Sequence, residues 1–143
     1  MSYDPFARGA FPVGVRTITV RDDARRQDLT VEVWYPATAR YHGLDLDPAT
    51  MDRIELPSAL PVTSQQAIRD AEPADRRYPL VMHSHGAFAY RTVNALLCTH
   101  LASHGYVVAS NDVPGNTLAD VMRDAEAVGH GGTPTTPSQQ EIN

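Results

Sequence analysis

The groups best placed to do chemistry in this chain are backbone amides. The run Val81-Met82-His83-Ser84-His85-Gly86-Ala87-Phe88 is apolar at its start and stops at a His-Gly step. Gly86 permits a tight turn with no Cβ in the way. The N–H of Ala87, next in line, can then point into a cleft beyond the strand. A donor so placed stabilises the oxyanion of a tetrahedral intermediate, and losing one typically costs on the order of 3–4 kcal/mol of transition-state stabilisation. The alternative is that His-Gly simply ends a strand. The serine that such a donor would serve belongs on a Gly-x-Ser-x-Gly turn between strand and helix. Serines stand at positions 2, 58, 64, 84, 103, 110 and 138, and none has glycine two residues away on both sides. Ser84 precedes the His-Gly turn and Ser110 ends a strand, so neither sits on such an elbow.

Histidine spacing raises a metal reading and then weakens it. His83 and His85 alternate on one side of a strand, and His100 and His104 lie one helical turn apart. The Asp-His needed just beyond the first pair is replaced by Ala87-Phe88, and no glutamate completes His-Glu-x-x-His around the second. His104 suits the negative end of a helix, and His100 borders its core face. No metal site and no cofactor are expected. Phe88, Tyr90 and Asn116, with Gly86, are candidates to line a substrate pocket; core packing and loop structure are the competing explanations.

These groups need strands and helices behind them. Residues 15–21 are rich in β-branched side chains and read as a strand. Residues 29–35 alternate, with Leu29, Val31, Val33 and Tyr35 on one face and Thr30, Glu32 and Trp34 on the other, as in a half-buried strand. Only a charged turn separates the two, which predicts an antiparallel pair that Pro36 ends. Residues 38–77 carry Pro48, Pro57, Pro61 and Pro73 with one weakly helical piece around Ser64–Ala71. They read as a long excursion loop over the surface, of the kind that is usually functional or mobile.

From Pro79 the pattern sharpens. Leu80-Val81-Met82 reads as a strand covered on both faces. Val93, Leu96, Leu97, His100, Leu101 and His104 form a helical stripe, closed by Gly105. Tyr106-Val107-Val108-Ala109 reads as a second buried strand ending at Ser110-Asn111-Asp112. Strand, helix and strand have the size of one βαβ crossover, so the two strands are expected to be parallel. Ligands of open α/β sheets bind beyond the carboxyl ends of parallel strands, here His85–Phe88 and Asn111–Gly115. Thr117 and Asp120 then form a capping pair for a helix whose stripe is Leu118, Val121, Met122, Ala125 and Val128. Gly129 closes it, and 129–143 is a loop-like tail.

Composition bounds the function classes. The chain has 143 residues, 42% hydrophobic and 20% charged, which suits one soluble globular domain. A net charge of −5 argues against nucleic acid or an anionic membrane surface as partner. Arg21, Arg25 and Arg26 alternate with Asp22, Asp23 and Asp28 in what reads as a solvated turn. Cys98, the single cysteine, excludes an intrachain disulfide and a cysteine-based zinc site. No run approaches the about 18 apolar residues of a membrane span, and no secretory signal is visible at the N-terminus. A cytoplasmic location is expected.

Tyr78–Gly86, Leu101–Ala109 and Asn111–Asn116, with Val31–Pro36 upstream, together resemble the α/β-hydrolases of the dienelactone-hydrolase and platelet-activating-factor-acetylhydrolase-like group. The likeness covers most of residues 12–117. It implies an α/β fold, the N-terminal part of a hydrolase sheet, in which an antiparallel pair precedes a parallel βαβ unit. It also implies serine-dependent hydrolysis of a small-molecule ester, with Ala87 as one oxyanion-hole donor. In that family the nucleophile, acid and histidine follow in the order Ser, Asp/Glu, His, and none has a counterpart among these residues. The expectation is that 1–143 is the N-terminal portion of a single hydrolase domain. The triad would lie on the C-terminal remainder, acting as a second polypeptide, and this chain alone would be inactive. The alternative is an inactive fragment or binding module with a hydrolase-like fold.

Overall fold

The computed structural model describes residues 4–54 and 63–129. Of the tail expected over 129–143, residues 130–143 lie outside the described residues, as do Pro57 and Pro61 of the excursion.

Strands β1 (Val13–Asp22) and β2 (Gln27–Pro36) form an antiparallel hairpin in full register, from Val13 opposite Pro36 to Asp22 opposite Gln27. β6 (Leu80–His83), helix α1 (Ala95–Ser103) and β7 (Val107–Asn111) form the expected crossover, and β6 and β7 are parallel. Gly105 has φ of 93°, the left-handed residue that ends α1. The excursion contributes β3 (Asp52–Ile54), β4 (Thr63–Gln65) and β5 (Ile68–Arg69). β3 and β4 pair as a small separate sheet, while β5 joins the main sheet in the order β5-β1-β2-β7-β6. β2 and β7 run antiparallel and join the hairpin to the crossover.

Several expectations are corrected here. Ser64–Ala71 is not helical: it forms β4 and β5, and Gln65, Ala67 and Ala71 are buried. The excursion therefore fills the structure instead of only crossing its surface. Its buried Asp45 accepts a hydrogen bond from the Val13 N–H at 2.9 Å and pairs with Arg8, which holds the start of β1.

β6 is not covered on both faces. Leu80 and Met82 are 61% and 63% exposed, because among the described residues nothing packs on that side of the strand. Half-burial fails for β2 in the other direction: Val31, Glu32, Trp34 and Tyr35 are all buried, so both faces are covered at its end.

The core lies between α1 and the sheet, where Val13, Val15, Trp34, Val108, Ala95, Cys98 and Ala102 meet. α1 thus buries its small residues, while Leu96 and Leu97 of the expected stripe stand exposed. Small side chains let the helix axis approach the sheet closely, and the volume is filled by Trp34 from β2. Thr99 and Ser103 satisfy their hydroxyls on the carbonyls of Leu96 and His100, the back-bonding that polar residues adopt inside a helix. Burial pushes the Cys98 thiol up to about 11, so it stays protonated at neutral pH and is no nucleophile. Helix α2 (Leu118–Gly129) likewise buries Asp120 and Asp124, while Ala125 and Val128 of its apolar stripe are exposed.

The N-terminal segment is stapled to the end of α1. Gly9 donates its N–H to Ser103 Oγ at 2.9 Å, and Phe11 donates to the Ser103 carbonyl at 3.0 Å. A Cβ on Gly9 would lie 2.1 Å from the Ser103 carbonyl oxygen and 2.6 Å from the His104 nitrogen, both rigid backbone. Gly9→Ala is therefore expected to cost about 1–3 kcal/mol, the usual range for overpacking, read as a lowered urea midpoint at unchanged slope. An unchanged midpoint would show that the staple is absent in solution.

Candidate active site

The carboxyl ends of β6 and β7 open into two loops, residues 84–94 and 112–117, and these loops are laced together. His85 Nε2 accepts the Val113 N–H at 3.2 Å. Its Nδ1 therefore carries the proton and donates to the Gly86 carbonyl at 2.7 Å. Phe88 donates its N–H to Asn116 Oδ1 at 3.2 Å, and Leu118 donates to the Ala89 carbonyl at 3.0 Å. Arg91 donates its backbone N–H to Asp112 Oδ1 at 2.8 Å and its Nη1 to Asp112 Oδ2 at 2.6 Å.

At the apex of the first loop Gly86 and Ala87 are exposed, and the space where a Gly86 Cβ would stand is open. Among the described residues the Ala87 N–H donates to no protein acceptor. Phe88 follows with φ of 58°, a left-handed conformation that a bulky residue adopts only when its surroundings impose it.

The remaining candidates fall out as follows. Tyr90 lines two adjoining clefts. One, of about 430 Å³, is walled by Glu32, Arg69, Arg91, Asp112 and Thr117. The other, of about 390 Å³, is walled by Ile54, Ser64, Val93 and Leu97. Gly86, Ala87, Phe88 and Asn116 line neither, so the clefts lie beside the His-Gly turn and not on it. Asn116 is engaged in holding Phe88.

His83 Nε2 accepts from the Asn94 amide at 3.0 Å, which places its proton on Nδ1, facing Ser110 Oγ at 3.2 Å. Ser110 is fully buried, so this serine-histidine pair has no access to substrate. His100 and His104 stack with ring centroids 4.7 Å apart, and His104 Nε2 reaches the Ala7 carbonyl at 3.0 Å. Among the described residues no three His, Cys, Asp or Glu side chains gather as a metal site would need.

Sequence reasoning missed a buried ionic chain below the loops. Trp34 Nε1 donates to Gln65 Oε1 at 2.6 Å, and Gln65 Nε2 donates to Asp52 Oδ2 at 2.6 Å. Arg69 grips Asp52 through Nε and Nη2 at 2.9 and 2.6 Å, and reaches Glu32 through Nη1 at 2.7 Å. Glu32, 1% exposed, also accepts from Thr17 Oγ1 at 2.8 Å and from Arg91 Nε at 3.3 Å. Burial works against the Arg69 charge, but bonds and attraction to Asp52 and Glu32 outweigh it and raise its pKa above the ordinary value. The one clue in the sequence is Glu32 on the same face as Trp34: a carboxylate beside a core tryptophan requires buried cationic partners.

The second loop is anchored from its far end. The Thr117 N–H and Oγ1 both donate to Asp120 Oδ2, at 2.9 and 2.7 Å, and the Asp120 N–H returns to Thr117 Oγ1 at 3.1 Å. Partial burial opposes the Asp120 charge, but the Thr117 bonds and Arg123 hold its carboxyl below the usual range. This is the capping pair expected at the start of α2.

Comparison with known proteins places these features in context. Residues 17–117 match the family described as platelet-activating factor acetylhydrolase, isoform II. Among solved structures, a ferulic acid esterase from Streptomyces cinnamoneus superposes with a TM-score of 0.57 at 27% sequence identity. The match covers 78% of this chain and 36% of the esterase, so the chain spans just over a third of that enzyme's length. No curated protein matches the sequence. Among the described residues no helix is long and apolar enough to cross a membrane.

Proposed function

Because this chain belongs to the platelet-activating factor acetylhydrolase, isoform II family, we propose that it forms the N-terminal portion of a serine-dependent carboxylic-ester hydrolase. In this reading 1–143 is part of a single α/β domain that supplies one oxyanion-hole donor, the Ala87 N–H. The nucleophile and its acid and histidine partners come from a C-terminal remainder. The observation that carries the reading is the Ala87 amide itself: exposed, without an acceptor among the described residues, at the carboxyl end of a parallel strand. A free donor in a loop held from both sides is what electrostatic preorganisation requires.

In this reading the steps are those of serine-dependent ester hydrolysis. A serine activated by a histidine attacks the ester carbonyl, and charge develops on the carbonyl oxygen. The Ala87 N–H bonds that oxygen more strongly as it becomes an oxyanion, which lowers the barrier and not merely the binding energy. The substrate class is a small-molecule ester, and the clefts beside Tyr90 offer room for one of its arms. The C-terminal remainder would complete the sheet beyond β6, where Leu80 and Met82 stand bare.

The test is a fluorophosphonate probe applied to the purified chain together with whatever polypeptide co-purifies or is encoded with it. Labelling is expected on a serine outside residues 1–143. Covalent labelling of any residue within 1–143, mapped by mass spectrometry, overturns the assignment. Absence of labelling in an assembly that remains folded favours the non-catalytic binding module instead.

A further inference from the structure

Among the described residues Arg91 is the one side chain that joins both strand-end loops to the interior of the sheet. Its backbone lies in the first loop, its Nη1 reaches Asp112 in the second, and its Nε reaches Glu32 on β2. Glu32 is fixed in turn by Thr17 and Arg69. The turn it steadies is closed locally, by the Ala89 N–H on the Gly86 carbonyl at 3.3 Å and by His85 Nδ1 on the same carbonyl at 2.7 Å, but these bonds do not fix it against the sheet. Gly86 is exposed, Ala87 has no acceptor among the described residues, and Phe88 occupies a left-handed conformation that its side chain disfavours. Its orientation relative to the sheet is set by ties to its surroundings, by His85 on Val113, by Phe88 on Asn116, by Leu118 on Ala89, and by Arg91 on Asp112 and Glu32. Only the last of these ties runs into the buried sheet.

We propose that Arg91 is a positioning residue for the Ala87 N–H, holding the turn so that this donor meets the developing oxyanion. The inference rests on the reading of Ala87 as an oxyanion donor. The chemistry suits arginine specifically. A planar guanidinium presents donors in a fixed fork, so one side chain can bond Glu32 and Asp112 in set directions, whereas lysine offers a single point charge. Misplacing a catalytic group by about 1 Å can cost about 100-fold in rate, so a tie remote from the reacting atoms can still act on kcat.

The experiment is a double-mutant cycle in the complete hydrolase, with p-nitrophenyl acetate as substrate and enzyme counted by fluorophosphonate titration of the active serine. One arm replaces the amide at residue 87 by an ester, which removes the N–H and keeps the side chain. The other is Arg91→Met. The ester is expected to lower kcat by about 10²–10³. Arg91→Met is expected to lower kcat about 10- to 100-fold with KM changed by less than about 2-fold, since the interaction it supports is made in the transition state. Arg91→Lys should recover part of the loss. In the combined variant the loss should be no greater than for the ester alone, because both changes remove one interaction.

Multiplying losses would show that Arg91 acts elsewhere and overturn the inference. So would a full effect of the ester with none from Arg91→Met, which leaves the Ala87 reading intact. An ester that leaves kcat unchanged overturns the Ala87 reading, and the inference with it. Should Arg91→Met fail to fold, the same cycle with Arg91→Lys decides.

Discussion

Glu32→Gln is expected to destabilise the protein by about 3 kcal/mol, the low end of the cost of breaking a buried ion pair by removing one partner. The substitution keeps the shape of the side chain and deletes its charge. Arg69 and Arg91 then face a neutral amide that can accept at only one of the two former carboxylate oxygens, and the Thr17 hydroxyl loses a charged acceptor. The cost stays at the low end because the two arginine side chains are 37% and 30% exposed and keep Asp52 and Asp112 as partners. Urea unfolding measures it. Asp28→Asn, in the exposed pair with Arg21, is the comparison and should change stability by less than about 1 kcal/mol. Similar small changes for both would mean that the Glu32 cluster behaves as a surface network. Domains are held by only about 5–15 kcal/mol, so a loss of this size would shift the folded fraction at physiological temperature.

The second large effect is catalytic. Replacing the Ala87 amide by an ester is expected to lower kcat of the complete hydrolase by about 10²–10³, the range found for loss of one oxyanion-hole donor. KM should hardly move, because the ground-state carbonyl gains little from that hydrogen bond. The substitution deletes a donor that pairs with no described residue and weakens the Gly86 carbonyl that accepts from His85 and Ala89, so stability should fall by no more than about 1 kcal/mol. A fall in kcat of that size with so small a change in thermal midpoint separates a chemical role from a structural one. An unchanged kcat would return His85-Gly86 to the status of an ordinary strand end.

Much of the fold was legible because its signals are local. The hairpin announced itself through alternation in 29–35 and a charged turn, and the crossover through a helical stripe ended by Gly105. The family resemblance read over most of 12–117 agrees with the matched span 17–117. What was not legible lies in contacts between distant segments. β4 and β5 are three and two residues long, too short for alternation to emerge. α1 is apolar on both sides, and counting large side chains chose Leu96 and Leu97, whereas the sheet accepts Ala95, Cys98 and Ala102. The ionic chain joins residues 17, 32, 52, 69, 91 and 112, which no spacing rule connects. At the candidate site the turn itself was visible in the sequence. Its anchors were not, because Asn116 and Asp112 act through hydrogen bonds across the two loops.

The strand order carries a consequence for how the chain is made. β6 precedes β7 in sequence but lies outside it in the sheet, and β7 is its only described strand partner. On the ribosome the β1–β2 hairpin can close as soon as it emerges, whereas β6 must wait unpaired until residues 107–111 have been synthesised and slotted against β2. Until then both edges of β6, and its bare Leu80 and Met82, are open to the wrong partner. Such non-local pairing is slow, and exposed edges in partly folded chains promote aggregation. The nascent chain is thus most vulnerable in the interval between the release of β6 and the arrival of β7.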